Sequence, residues 1–137
     1  MPWSPSKQQP PTGAGARHDL LIVSCAVSAG IHAALVPEHL RESAATGGGF
    51  IASAVLLLAL AVALTLCPLS RAVTGTAALT LVGLLVAYVL ATTVGVPILQ
   101  PEPEAIDGLA LATKAVEIVG VLAALQLTLV KRQPQGA

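Results

Sequence analysis

The sequence predicts an all-α fold, a four-helix transmembrane bundle, on three observations. Of 137 residues, 55% are hydrophobic and only 10% charged, and the mean hydropathy is +0.82. A soluble domain carries about 25% charged residues, so this chain has too few to coat a surface in water. The apolar residues also gather into four runs, 20–36, 50–67, 76–96 and 109–130. Each is roughly 17–22 residues long, which at about 1.5 Å per residue matches a hydrocarbon core of about 30 Å. None alternates with period two as the strands of a membrane barrel must, so helices are expected.

The elements follow in order. Residues 1–18 include the Pro- and Gly-rich stretch MPWSPSKQQPPTGAGA, too poor in apolar side chains to fold alone, and are expected to form a disordered tail. A cleaved signal peptide fits less well, because the first apolar run is long and three more follow. The transmembrane domain is expected over 19–132, with a second short tail at 133–137. His18, beside Arg17 and Asp19, reads as a solvated boundary residue. Pro37 closes the first run, and the triplet Gly47-Gly48-Gly49 is expected to separate it from the second. Pro68 and Pro97 end the second and third runs, and Gly108 opens the fourth. Cys25 and Cys67 lack a CxxC partner and read as small packing residues.

Orientation follows from the basic residues. With four spans, Lys7, Arg17, Arg71, Lys131 and Arg132 fall on one side, and only Arg41 on the other. The positive-inside rule then puts both termini in the cytoplasm of a multi-pass cell-membrane protein. Glu38, Glu42, Glu102, Glu104 and Asp107 share the opposite, extracytoplasmic face.

Ionisable residues within the spans are the candidate site. His32 lies in the outer half of the first run, Lys114 and Glu117 in the outer half of the fourth. Such groups are costly in lipid, so they face other helices and find partners. Lys114 and Glu117 are i,i+3 and can pair on one face, with Lys114 snorkelling outward. Ser24, Ser28 and His32 form one helical stripe, and Tyr88, Thr92 and Gly95 another at a similar depth. Serines and threonines in such stripes are most simply read as close-packing positions. For His32 with Glu117, structural hydrogen bonding and a functional site are both open. His32 is expected to be buried and His39 exposed.

A metal site is the sharper alternative. His32 and His39 are about 10.5 Å apart along an unbroken helix, too far for one ion. Pro37 can kink the helix or start a separate short one over 37–44, which brings His39 and Glu42 to one face. The candidate ligands are His32, His39, Glu42 and Glu117, with Glu38, Tyr88 and Lys114 in support. Imidazole and carboxylate suit a divalent transition metal such as zinc, copper or iron, but no HExxH or paired ExxH is present. Glu38 with Arg41 reads equally well as a solvated ion pair.

Other chemistries find little support. Net charge is zero, so no basic surface argues for nucleic acid. There is no Gly-rich phosphate loop and no nucleophile elbow. One Trp, one Tyr and one Phe are few for a heme or quinone pocket.

The stretch GIHAALVPEHLRE followed by GGGFIASAVLLLALAVAL resembles the first half of small, uncharacterised four-span membrane proteins of high-GC actinobacteria. Those carry a His near the end of the first span, a Pro-Glu-His triplet, an acid three residues on, then a Gly and an aromatic opening the second span. His32, Pro37, Glu38, His39, Glu42, Gly49 and Phe50 match. The second span there often carries a Gln, whereas this one is apolar. Size and span number are also similar to DoxX-like proteins, without a specific DoxX motif. The resemblance implies four spans and no activity.

Two functions are therefore carried forward. One is a non-enzymatic membrane protein with an outward-facing His/Glu cluster that binds a cation or proton. The other is an accessory or scaffold subunit of a larger membrane complex, whose partners are lipid, other subunits or itself. A membrane metalloenzyme is the weakest reading, because too few ligand-type residues converge.

Overall fold

The computed structural model describes residues 13–68, 70–95 and 106–130, with the side chain of Val130 left aside. They form four helices and no strand: α1 (Gly13–Glu42), α2 (Ala44–Leu66), α3 (Arg71–Thr93) and α4 (Gly108–Val130). All four are long and apolar enough to cross a membrane. Large apolar side chains remain uncovered along each helix, among them Val23, Val55, Leu79 and Leu122. Exposed to water they would be costly; against hydrocarbon they are the ordinary lipid-facing surface of a span.

α1 packs against α2 and α4, α4 also against α3, and the α2–α3 pair makes the slightest of these contacts. Three helices approach closely at Gly120. Gly120 on α4 meets Ser24 on α1 and Leu81 on α3: a Cβ added there would lie 2.8 Å from Ser24 Cβ and 2.7 Å from Leu81 Cδ1. The absent side chain is what lets three helices converge. Around this level lies the apolar core, including Leu21, Cys25, Leu57, Ala61, Leu64, Ala77, Leu81 and Ala124.

Local signals set the helix ends. Ser43 alone separates α1 from α2; its hydroxyl accepts from Thr46 N at 3.0 Å and caps α2. Ser70 caps α3 through Val73 N at 3.3 Å. Asp107 caps α4, its Oδ1 accepting from Ala110 N at 2.7 Å. These caps satisfy donors that a first helical turn leaves unpaired. At the end of α3 the chain turns through Gly95 at φ 72°, a left-handed conformation that glycine adopts without steric cost.

Four expectations need correction. The first helix starts at Gly13, so 13–18 are helical; the rest of the expected tail, and the tail at 133–137, lie outside the described residues, as does the break at Pro97. α1 also continues through Pro37 to Glu42, so no separate helix forms over 37–44. Proline removes one backbone donor, and a long helix packed on two neighbours tolerates that loss. The glycine triplet is no break, because it lies in the first turns of α2. Gly47 is buried there, and a Cβ on it would come within 2.8 Å of Leu40 Cα. The glycine thus permits a hairpin joined by one residue. Finally, Cys25 is buried as expected, but Cys67 is exposed at the end of α2. It therefore lies outside the buried core.

Candidate functional site

The end of the bundle holding the Ser43 turn and the start of α4 is polar inside. Glu117 is 0% exposed, the largest fully buried polar side chain among the described residues. Both of its oxygens are engaged. Ser28, one helix away, donates to Oε1 at 2.9 Å, and Lys114 donates to Oε2 at 2.7 Å. The expected i,i+3 pairing on α4 is therefore present. Lys114 Nζ also lies 5.3 Å from the centre of the Tyr88 ring, within reach of a cation–π contact. A buried carboxylate is sustained only by such partners, since removing it from water costs several kcal/mol or more.

His32 joins the same cluster through Ser28. Its Nδ1 stands 2.9 Å from the Ser28 carbonyl and 3.4 Å from the Ser28 hydroxyl. A carbonyl only accepts, so Nδ1 carries the proton. In the neutral ring Nε2 is then a bare acceptor. His32 and Glu117 do not meet directly; Ser28 bridges them. That bridging role escaped the sequence reading, in which Ser28 was a packing residue. The i,i+4 spacing of Ser28 and His32 was the available signal, but the packing of α4 on α1 was not visible in it.

His39 is buried, contrary to expectation. Its Nδ1 donates to the Leu35 carbonyl at 3.0 Å, one turn back, as His32 does to Ser28. The burial comes from α2. The tight Ser43 turn folds Phe50 onto the end of α1, where its ring stacks on His39 at 3.9 Å between centroids. His32 lies 5.4 Å from the same ring. Phe50 thus sits against both imidazoles, a role the sequence suggested only through the resemblance.

These groups border a cavity of about 270 Å³. His32, Tyr88 and Lys114 line it, along with His39, Thr46 and Phe50; Glu38, Glu42 and Asp107 contribute as well. Glu38 and Glu42 are exposed. Glu38, Glu42 and Asp107 therefore share one end of the bundle, while Glu102 and Glu104 lie outside the described residues. The Tyr88 hydroxyl is buried with no hydrogen-bond partner. Thr92 turns inward on its own helix, donating to the Tyr88 carbonyl at 2.9 Å. At the opposite end His18 Nε2 is buried without a partner, so His18 is not the freely solvated residue expected.

The proposed metal ligands are not gathered. Among the described residues no group of three His, Cys, Asp or Glu side chains could hold a metal ion. His32 and His39 remain seven residues apart on one continuous helix, and both Glu117 oxygens are engaged by Ser28 and Lys114.

Fold and site together fit a small, multi-pass integral membrane protein with a polar cavity at one mouth of its bundle. No protein-family model, curated protein or solved structure matches the chain.

Proposed function

We propose that this protein is a small membrane protein that binds a proton at the His32–Ser28–Glu117 cluster, open to the extracytoplasmic side. One observation carries the reading: the continuous hydrogen-bonded chain from His32 through Ser28 to Glu117 and Lys114, joining α1 to α4. The Lys114 ammonium stands where a bound cation would neutralise Glu117, which favours a proton over a metal ion. With Nδ1 committed to a carbonyl, the atom that takes the proton is His32 Nε2. Desolvation disfavours a charged imidazole and a nearby carboxylate favours it, so the two effects oppose each other here. The groups around His32 are Glu117 and Lys114 of α4, His39 of α1 and Tyr88 of α3. From α2, the uncharged Phe50 and Thr46 face the cavity.

The orientation rests on the basic residues: Arg17 and Arg71 lie at the end opposite the cavity, Arg41 beside it. Cytoplasmic termini then turn the cavity and its acidic rim outward.

NMR titration of the three histidines in wild type and in Glu117→Gln tests the proposal. The His32 midpoint moves in the variant and the His18 midpoint stays. An unchanged His32 midpoint would show that Glu117 plays no part in its protonation.

A further inference from the structure

We infer that the cavity opens sideways between α2 and α3 and takes a phospholipid from the surrounding membrane, with a lipid oxygen accepting hydrogen bonds from Tyr88 and Lys114. It shares the cavity and Lys114 with the proton-binding proposal but rests on separate observations, the slight contact of α2 with α3 and the unpartnered Tyr88 hydroxyl.

The divergence can be read residue by residue. On α2 no residue is buried between Gly47 and Leu57, and on α3 none after Leu81. Over the same depth α1 keeps Ser28, Ala29, His32 and His39 buried, and α4 keeps Thr113 and Glu117. α1 and α4 thus stay packed to the mouth. α2 and α3, whose mutual contact is the slightest of the packed pairs, bury no residue between Leu57 or Leu81 and the cavity end except Thr46 and Gly47, and we read this as the two helices parting there. The cavity fills that wedge, bordered by Phe50 and Ser53 on one side and Leu84, Ala87 and Tyr88 on the other.

The outer flanks of the wedge are apolar. Val55 and Leu58 of α2, with Val86 and Val89 of α3, are exposed, so hydrocarbon is the phase that meets the opening. At about 270 Å³ the space is near the lower end of ligand pockets, which begin at about 300 Å³. One acyl chain or the glycerol region of one lipid fits, and a whole two-chain lipid does not.

Two donors inside call for an oxygen. The Tyr88 hydroxyl is buried and unpartnered. Lys114 has three N–H groups and places one on Glu117. A buried hydroxyl left without a partner is costly, and an ester carbonyl or phosphate oxygen would satisfy both groups. The acidic rim of Glu38, Glu42 and Asp107 suits an ammonium headgroup, so a zwitterionic lipid matches both ends.

The test uses the full chain in phosphatidylethanolamine vesicles containing a trace of the same lipid with a photoactivatable acyl chain. Cross-links mapped by mass spectrometry should fall on the inner residues Ser53 and Leu84 as well as on the outer Val55. Ala87→Trp fills the wedge and should cut the inner cross-links about ten-fold while leaving Val55 unchanged. Tyr88→Phe, a smaller change, should lower them several-fold. Absence of inner cross-links in the wild type overturns the proposal, and so does inner labelling that Ala87→Trp leaves intact. Inner labelling abolished by millimolar inorganic phosphate or acetate would also overturn it, because the occupant would then be a free anion.

Discussion

Ser28 and Glu117, 89 positions apart, meet side chain to side chain at 2.9 Å in the interior of the bundle. The contact joins α1 to α4 and gives a buried carboxylate its second partner. Stability should therefore depend on it. Ser28→Ala leaves Glu117 Oε1 without a donor, and a lost partner in the interior costs about 1–3 kcal/mol. Thermal unfolding in detergent should show a lower midpoint than wild type; an equal midpoint would mean that water replaces the hydroxyl.

The Lys114–Glu117 pair should behave as a unit. Glu117→Ala strands the ammonium, and breaking a buried pair from one side costs about 3–5 kcal/mol, an upper figure here because Lys114 keeps 13% exposure. Glu117→Gln retains the shape and the Ser28 bond, so its loss should be smaller. Replacing both partners, Lys114→Met with Glu117→Leu, should recover much of the deficit. A double variant as unstable as the sum of the singles would show the two residues to be energetically independent.

Neighbouring glycines should give opposite results. Gly47→Ala drives a methyl group into Leu40 and should destabilise by about 1–3 kcal/mol through overpacking. Gly120→Ala meets Leu81 and Ser24 in the same way. A Cβ at Gly48 meets nothing within 4 Å, so Gly48→Ala should be neutral or stabilising by up to about 1 kcal/mol through helix propensity. Comparable losses at Gly47 and Gly48 would show that the hairpin is not closely packed.

The histidine tautomers are a direct spectroscopic readout. His32 and His39 each direct Nδ1 at a carbonyl four residues back. Their neutral forms should therefore be protonated at Nδ1, the less common tautomer in solution, as ¹⁵N shifts will report. Protonation at Nε2 instead would remove the acceptor on which the proposed proton site depends.

Orientation can be checked by accessibility. Ala45, at the start of α2, and Ala72, at the start of α3, are exposed at opposite ends of the bundle. On a background without Cys25 and Cys67, a cysteine at Ala45 should react with an impermeant reagent in intact cells, and one at Ala72 should not. The reverse pattern would turn the cavity toward the cytoplasm.

Number, type and approximate position of the helices were legible in the sequence, because the length of an apolar run and the thickness of a bilayer are set by local chemistry alone. The Lys114–Glu117 pairing was legible for a similar reason: three residues on a helix is a fixed geometry. That Glu38, Glu42 and Asp107 share one end of the bundle followed from counting spans. What the sequence could not contain was which helix face turns to which neighbour. Small residues at Gly47 and Gly120 serve equally well as breakers or as contact points, and only their neighbours, Leu40 in one case and Ser24 with Leu81 in the other, decide between the two. The same holds for Pro37, which a packed helix carries through. It holds too for His39, buried by a ring from the next helix, and for Ser28, whose hydroxyl finds a carboxylate on α4. Those outcomes arise from contacts between distant segments, and such contacts exist only once the bundle has closed.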